Sequence, residues 1–500
     1  MTHLMRPYPH LYEINACVFL KRMSRKYGQS LTLATVPDEE WKQLASLGFD
    51  LVWLMGIWER SSGARQKALT EPTLRREYDK ALPGWSEDDV NGSPYAIYSY
   101  GLNPLLGASA ELARLKSKLN QQGLQLILDF VPNHLALDHP WTVSHPTWFV
   151  QGKKADAHTH PDRFFTSDQG IYFAHGREPH FPPWTDTVQS NFYSNEIRQA
   201  LINELLGITE LADGVRCDMA MLALNDVFER IWGKYTRGHQ QPDTEFWFEA
   251  ITRVKERRPQ FLFIAEVYWG LERRLQQLGF DFTYDKLFYD RLRFSNSKDI
   301  RDYLMTDEPY QQRSVRFIEN HDEERAVNAL GRERSLTAAV VLLTVPGLRL
   351  FHDGQLEGRR VRLPIQLVRQ PEEAADAEVA HFYEKLLTVC NSPDFHEGEW
   401  RLLGVSQSGE SNDSHLDILA WYWRYGQKFK TVVVNYSPEH AQGWMKLPLP
   451  VERAEKVKLR DQLSGRIFVH NAEQPGSQGL CLDLKPWEAQ ILELYQDPDG

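Results

Sequence analysis

Four short stretches place acids, histidines and one arginine inside otherwise apolar runs. LQLILDFVPNH (124–134) ends with Asp129, Asn133 and His134, and GVRCDMAML (214–222) holds Arg216 and Asp218. FLFIAEVYW (261–269) holds Glu266, and RSVRFIENHD (313–322) ends with Asn320, His321 and Asp322. Side chains alternate along a strand, so Arg216 and Asp218 share a face. A guanidinium there is expected to hold Asp218 ionised and its pKa low, as a nucleophile requires. Glu266 sits in the most apolar of the four runs, and its pKa is expected to be pushed up, as a proton donor requires.

Taken alone, any one of these could be a structural ion pair. Four at once point to a single acidic pocket. Metal-assisted hydrolysis would also use His and Asp, but no HxH motif stands at these strand ends. The HTH at 158–160 lies elsewhere and reads as loop histidines in solvent. Paired carboxyl groups of opposite protonation fit glycoside hydrolysis better: one attacks or activates water, and the other donates to the leaving oxygen.

The elements that must position these residues recur along the chain. Apolar strand candidates begin at 11–20, 49–58, 124–134, 214–222, 261–269, 280–289, 313–322 and 348–354, most of them preceded by a helical pattern. Alternating strands and helices imply parallel pairing with right-handed crossovers, and eight such units imply a TIM (β/α)8 barrel. In such a barrel the C-terminal strand ends converge on one pocket, which is where the polar residues fall. About 80 residues separate His134 from Gly214, too many for a crossover, so an inserted subdomain is expected after the third strand. The expected division is a barrel over 1–134 and 191–380, a subdomain over 135–190, and a C-terminal antiparallel β-sandwich over 381–500.

Composition bounds the rest. The chain has 500 residues, 42% hydrophobic and 25% charged, as expected of a globular protein with a large core. A net charge of −11 argues against nucleic acid as a partner and leaves room only for local basic patches. No apolar run is long enough to cross a membrane, and MTHLMRPYPHLYEI lacks the apolar stretch of a signal peptide. Cys17, Cys217, Cys390 and Cys481 are too scattered for a disulfide framework or a zinc site, which suits the cytoplasm. No GxGxxG or Walker loop appears, so a nucleotide-binding enzyme is set aside.

DFVPNH, GVRCD, AEV and ENHD, in this order and at these intervals, closely resemble the four signature regions of the α-amylase family, glycoside hydrolase family 13. The resemblance runs from about Tyr12 to the end of the chain. It implies a retaining enzyme acting on α-linked oligosaccharides or glucans, with Asp218 as nucleophile, Glu266 as general acid/base and Asp322 as the third carboxylate. It further implies that Arg216 orients Asp218 with Asp129 behind it, and that His134 and His321 bond the sugar, with Asn320 beside them. Within NGSPYAIYSYGLNPLLG (91–107), Tyr95 is the candidate to stack on that sugar, with Tyr98 as runner-up. No cofactor is required. Calcium enters only through the resemblance, with Asn133 as the one recognisable ligand. Many members carry a Lys-His pair three and four positions after the nucleophile, where this chain has Met221 and Leu222, so the acceptor side is expected to differ. A glucosyl or maltosyl transferase or an isomerase on the same fold would use the same three acids. A non-catalytic carbohydrate-binding barrel would be expected to have lost them.

Overall fold

The computed structural model describes residues 5–447, 456–471 and 479–495. Eight strands close into a parallel barrel: β1 (His10–Asn15), β2 (Leu51–Met55), β3 (Gln125–Phe130), β4 (Gly214–Cys217), β5 (Leu262–Ala265), β6 (Phe282–Tyr284), β7 (Ser314–Arg316) and β8 (Leu348–His352). Each pairs with its neighbours in sequence, and β8 pairs back onto β1. The strands are buried on both faces, which is why they read as continuous apolar runs rather than alternating ones.

Two of the eight apolar runs pass from a barrel strand into an α-helix. The run at 11–20 is strand only to Asn15, whose side chain caps the helix Ala16–Tyr27 by accepting from the Val18 N–H. The run at 280–289 contains β6 and then turns into the helix Lys286–Phe294, capped by Asp285. Strand and helix are both buried there, so periodicity could not mark the change. Two helices after β2, Ser62–Thr70 and Pro72–Ala81, form an unexpected pair ahead of the segment that carries Tyr95.

The insertion after β3 opens and closes on one antiparallel pair, His134–Ala136 with Thr187–Gln189. Its only other strand pair is Phe164–Thr166 with Tyr172–Ala174. At the far end, the helix Ala377–Cys390 runs through the expected boundary at 380, so the β-domain begins after it, at Glu399–Leu402. A six-stranded and a three-stranded antiparallel sheet face each other there across Ile418, Val433, Leu482 and Leu492. The helix Arg332–Thr344 lies between this domain and the barrel. Trp423 Nε1 donates to the Thr344 carbonyl at 2.7 Å, and nine of the helix's residues are buried. Among the described residues, no helix is long and apolar enough to cross a membrane.

Candidate active site

Strand register builds the pocket. Arg216 on β4 is the lateral partner of Asp129 on β3, so the two side chains leave the sheet side by side. The ladder continues past the regular strands: the Asp218 N–H donates to the Phe130 carbonyl and the Glu266 N–H to the Cys217 carbonyl, at 2.9 and 3.0 Å. These bonds fix the backbone under both acids. Beyond Asp218, Met219 turns left-handed at φ 44°, a conformation that costs a non-glycine residue about 1 kcal/mol or more. The turn aims its N–H at Glu266 Oε2, 2.8 Å away.

Arg216 is the hub. Its Nη1 donates to Asp218 Oδ1 at 2.7 Å and lies 3.5 Å from Asp129 Oδ1. Its Nη2 forms an ion pair with Glu266 Oε2 at 2.8 Å. The guanidinium sits over the rings of Trp53 and Tyr95, 5.1 and 5.2 Å from their centroids. Such burial in an aromatic cage suits Arg better than Lys, because the planar cation is weakly hydrated.

The three carboxyl groups differ in environment. Glu266 is buried, and burial lifts its pKa to about 7 against the pull of Arg216. Its Oε1 accepts from the Tyr268 hydroxyl at 2.7 Å. Asp218 departs from the sequence expectation: burial raises its pKa above the usual carboxylate range, and the charge and hydrogen bond of Arg216 only partly offset this. The reason is that one guanidinium is shared by Asp218, Glu266 and Asp129. Asp129, buried behind it, is lifted to about 7. Asp322 stands at the pocket rim with its side chain 45% exposed. Burial raises it, but the neighbouring His321 outweighs that and holds it down at about 2.

His321 is enclosed by acceptors. Nε2 lies 3.0 Å from Asp322 Oδ2 and 2.8 Å from the Tyr95 hydroxyl, and Nδ1 contacts Glu13. Burial opposes its charge, but Asp322 and Glu13 prevail and its pKa rises well above 6.5. His134 differs: burial lowers its pKa to about 3, so it stays neutral, with Nε2 3.9 Å from Asp218 Oδ2.

The fold thus brings Asp129, His134, Arg216, Asp218, Glu266, His321, Asp322 and Tyr95 together. Tyr98 lies on the strand Ile97–Leu102, and it is Tyr95 that stacks on His321. Asn320 turns back on its own loop, accepting the N–H groups of Asp322 and Glu323 at 2.9 Å each. Asn133 does not suit a cation: its carbonyl and its Oδ1 both accept from Gln189 Nε2, so an N–H donor stands where a metal would bind. No group of three or more His, Cys, Asp or Glu placed to hold a metal occurs among the described residues. Glu13, Trp53, Tyr268 and Tyr284 also line the site and were not singled out from the sequence. Glu13 carried a signal, as an acid inside an apolar strand; the aromatic residues carried none.

Residues 39–361 match the family model for the alpha-amylase catalytic domain. The chain belongs to the α-amylase family. Its catalytic region is 28% identical over 327 residues to the alpha-amylase MalA of Haloarcula japonica, covering 64% of this chain and 40% of that one. It is 25% identical over 326 residues to an alpha-1,4-glucan:maltose-1-phosphate maltosyltransferase of Burkholderia pseudomallei, covering 62% and 24%. The matched region therefore spans less than half the length of either relative. A maltogenic alpha-amylase of Thermotoga neapolitana superposes with a TM-score of 0.69 over 97% of this chain and 98% of its own, at 21% identity, a likeness of fold.

Proposed function

We propose that this α-amylase-family chain is a retaining α-glycosidase acting on α-linked glucans or maltooligosaccharides. Asp218 attacks the anomeric carbon while Glu266 protonates the departing oxygen. A water then gives its proton to Glu266 and displaces Asp218 from the sugar. Asp322 and the charged His321 hold the sugar hydroxyls, His134 donates from the opposite wall, and Tyr95 offers its ring.

The observation that carries this reading is the convergence of the acids on one pocket: Arg216 reaches Asp218 at 2.7 Å and Glu266 at 2.8 Å, and Asp322 joins them through His321. Burial lifts Glu266 to about 7, so a large share of it holds a proton near neutrality, whereas Asp322, near 2, is ionised. Asp218 meets Arg216 at 2.7 Å, so its charged form has a partner. Burial raises Asp218 as well, so its service as nucleophile depends on that guanidinium, while Glu266 beside it can carry the proton that acid catalysis requires. The four free cysteines, three of them buried, favour a reducing compartment, and the cytoplasm is proposed.

The test is product analysis on a panel of maltooligosaccharides, with the first-formed anomer read by proton NMR. The α-anomer is expected. A β-anomer would reject retention, and no release from any α-glucoside would reject the reading altogether. The same intermediate can pass to a sugar or phosphate in place of water. The likeness to a maltosyltransferase favours testing this, as do Met221 and Leu222: both are buried, so the aglycone side is built from other residues.

A further inference from the structure

Two large cavities flank the catalytic pocket, and both are rich in cations. The one beside β1 and β8 measures about 410 Å3 and includes Arg22, Arg25 and Arg369. Each of these is already matched, by Asp353, Glu372 and Asp89 respectively. Of its other two cations, Lys21 lies 3.7 Å from Asp89, and Arg359 faces the carboxyl groups of Asp353 and Glu357, so the network holds its own counter-charges.

The other cavity differs. About 350 Å3 lies between Arg177 and His180 of the insertion, Arg230 of the helix Asn225–Trp232, and Trp269 in the loop after β5. A second space of about 280 Å3 shares Arg177 and Arg230 and adds Arg163 and Lys234. Glu229 is the one carboxylate in either lining, and it accepts from the Tyr193 hydroxyl at 2.7 Å. Among the described residues, no carboxylate comes within ion-pair distance of Arg163, Arg177 or Lys234. Arg230 has a loose pair with Asp226 at 3.7 Å, and Asp226 is held more tightly by Arg274 at 2.5 Å. Asp162 and Asp156 stand nearby; Asp156 is taken by the Lys153 N–H and the Tyr235 hydroxyl.

Arg177 lies over the Trp232 ring at 5.3 Å, with its buried Nε unpartnered. Burial lowers its pKa, and the neighbouring Arg163 lowers it further. Arg163, Arg177 and Lys234 gather with no carboxylate in ion-pair reach among the described residues, and Arg230 has only its loose pair, so an anionic ligand would stabilise the group.

The position relates this groove to the chemistry. Trp269 is three residues past Glu266, turns left-handed at φ 66°, and meets His180 edge-on at 5.6 Å. Glu178, next to Arg177, is raised to about 7 by burial and by Glu266, so the insertion loop comes close to the acid. Glu266 protonates the departing oxygen, so the aglycone leaves and the acceptor arrives on this side.

Resting on the function proposed above, we propose that this groove binds an anionic aglycone or acceptor: a sugar or small polyol bearing a phosphate or carboxylate group. In transfer, the acceptor hydroxyl oxygen bonds to the anomeric carbon, the ester bond to Asp218 breaks, and the hydroxyl proton passes to Glu266.

The experiment uses the full chain with 4-nitrophenyl α-glucoside as donor and matched acceptors, glucose against glucose 6-phosphate and glycerol against glycerate. The anionic member of at least one pair is expected to be the better acceptor by about tenfold, and to lose that advantage as salt rises from about 50 to about 500 mM. A preference confined to glucose 6-phosphate assigns a phosphate, and one confined to glycerate a carboxylate. Arg177→Gln and Arg163→Gln should each cut the preference severalfold. Equal use of neutral and anionic acceptors, or a preference untouched by both substitutions, overturns the proposal. If neither this donor nor any maltooligosaccharide is turned over, the proposed function has failed, and the groove is judged by equilibrium titration with glucose 6-phosphate, read by tryptophan fluorescence. Binding that weakens in Arg177→Gln sustains the site, and no binding overturns it.

Discussion

Arg216 reaches Glu266 directly, with Nη2 2.8 Å from Oε2, while the same side chain donates to Asp218 through Nη1. One cation therefore lowers the pKa of both acids, and its removal should raise both. In Arg216→Ala the whole bell of kcat/KM against pH is expected to move to higher pH, with a large drop in its maximum. The milder Arg216→Lys, which keeps the charge but loses the fork, should move it less. A shift of the acidic limb alone would show that Arg216 serves Asp218 only.

Asp218→Asn removes the attacking oxygen's charge and leaves the shape intact. Turnover should fall by about four orders of magnitude or more, with the circular dichroism of the wild type. Wild-type rates in a clean preparation would remove Asp218 from its role.

Much of this arrangement was legible in the sequence because it depends on strand order. Asp129, Arg216, Asp218, Glu266 and Asp322 sit at or just past strand ends, and a parallel barrel must bring such ends together. The Asp218 environment was not legible. Two residues on one face suggested a private ion pair, and only the three-dimensional register reveals that Glu266 and Asp129 share the same guanidinium. The helix pair at 62–81 was missed because its apolar stripes are short and sit among many charged residues: Ala64, Ala68 and Leu69 in one helix, Leu74, Tyr78 and Ala81 in the other. Tyr268 was missed because a tyrosine in an apolar run reads as core, and its hydroxyl has meaning only once Glu266 is seen to face it.

Tyr268 gives the third prediction. Its hydroxyl donates to Glu266 Oε1 at 2.7 Å, which favours the carboxylate over the acid. Tyr268→Phe should therefore raise the Glu266 pKa and carry the basic limb upward by a fraction of a pH unit to about one unit. Glu266 is also faced by Arg216, Asp218, Asp322 and Glu178, none of which this substitution alters. A lower rate with an unmoved basic limb would reduce Tyr268 to a structural role.

Glu266→Gln separates chemistry from stability. It should slow maltooligosaccharides by several orders of magnitude but spare 4-nitrophenyl glucosides, whose leaving group departs without a proton. Equal losses on both would count against an acid role. Stability should move the other way. The folded pKa lies near 7 against an ordinary 4.5, so between these values the folded state holds more protons than the unfolded one. The stabilisation linked to that proton is full below about 4.5 and is lost as pH rises through about 7. At pH 8 the buried carboxylate costs on the order of 3 kcal/mol, given a rise from 4.5 to about 7 that already includes the attraction of Arg216. The neutral amide avoids that cost: its one oxygen can accept from Met219 N–H while its NH2 donates to the Tyr268 hydroxyl oxygen. The variant should therefore melt above the wild type at pH 8 and lose that advantage near pH 4.5. Equal melting temperatures at pH 8 would show that Glu266 is not a strained ionised group in the folded protein.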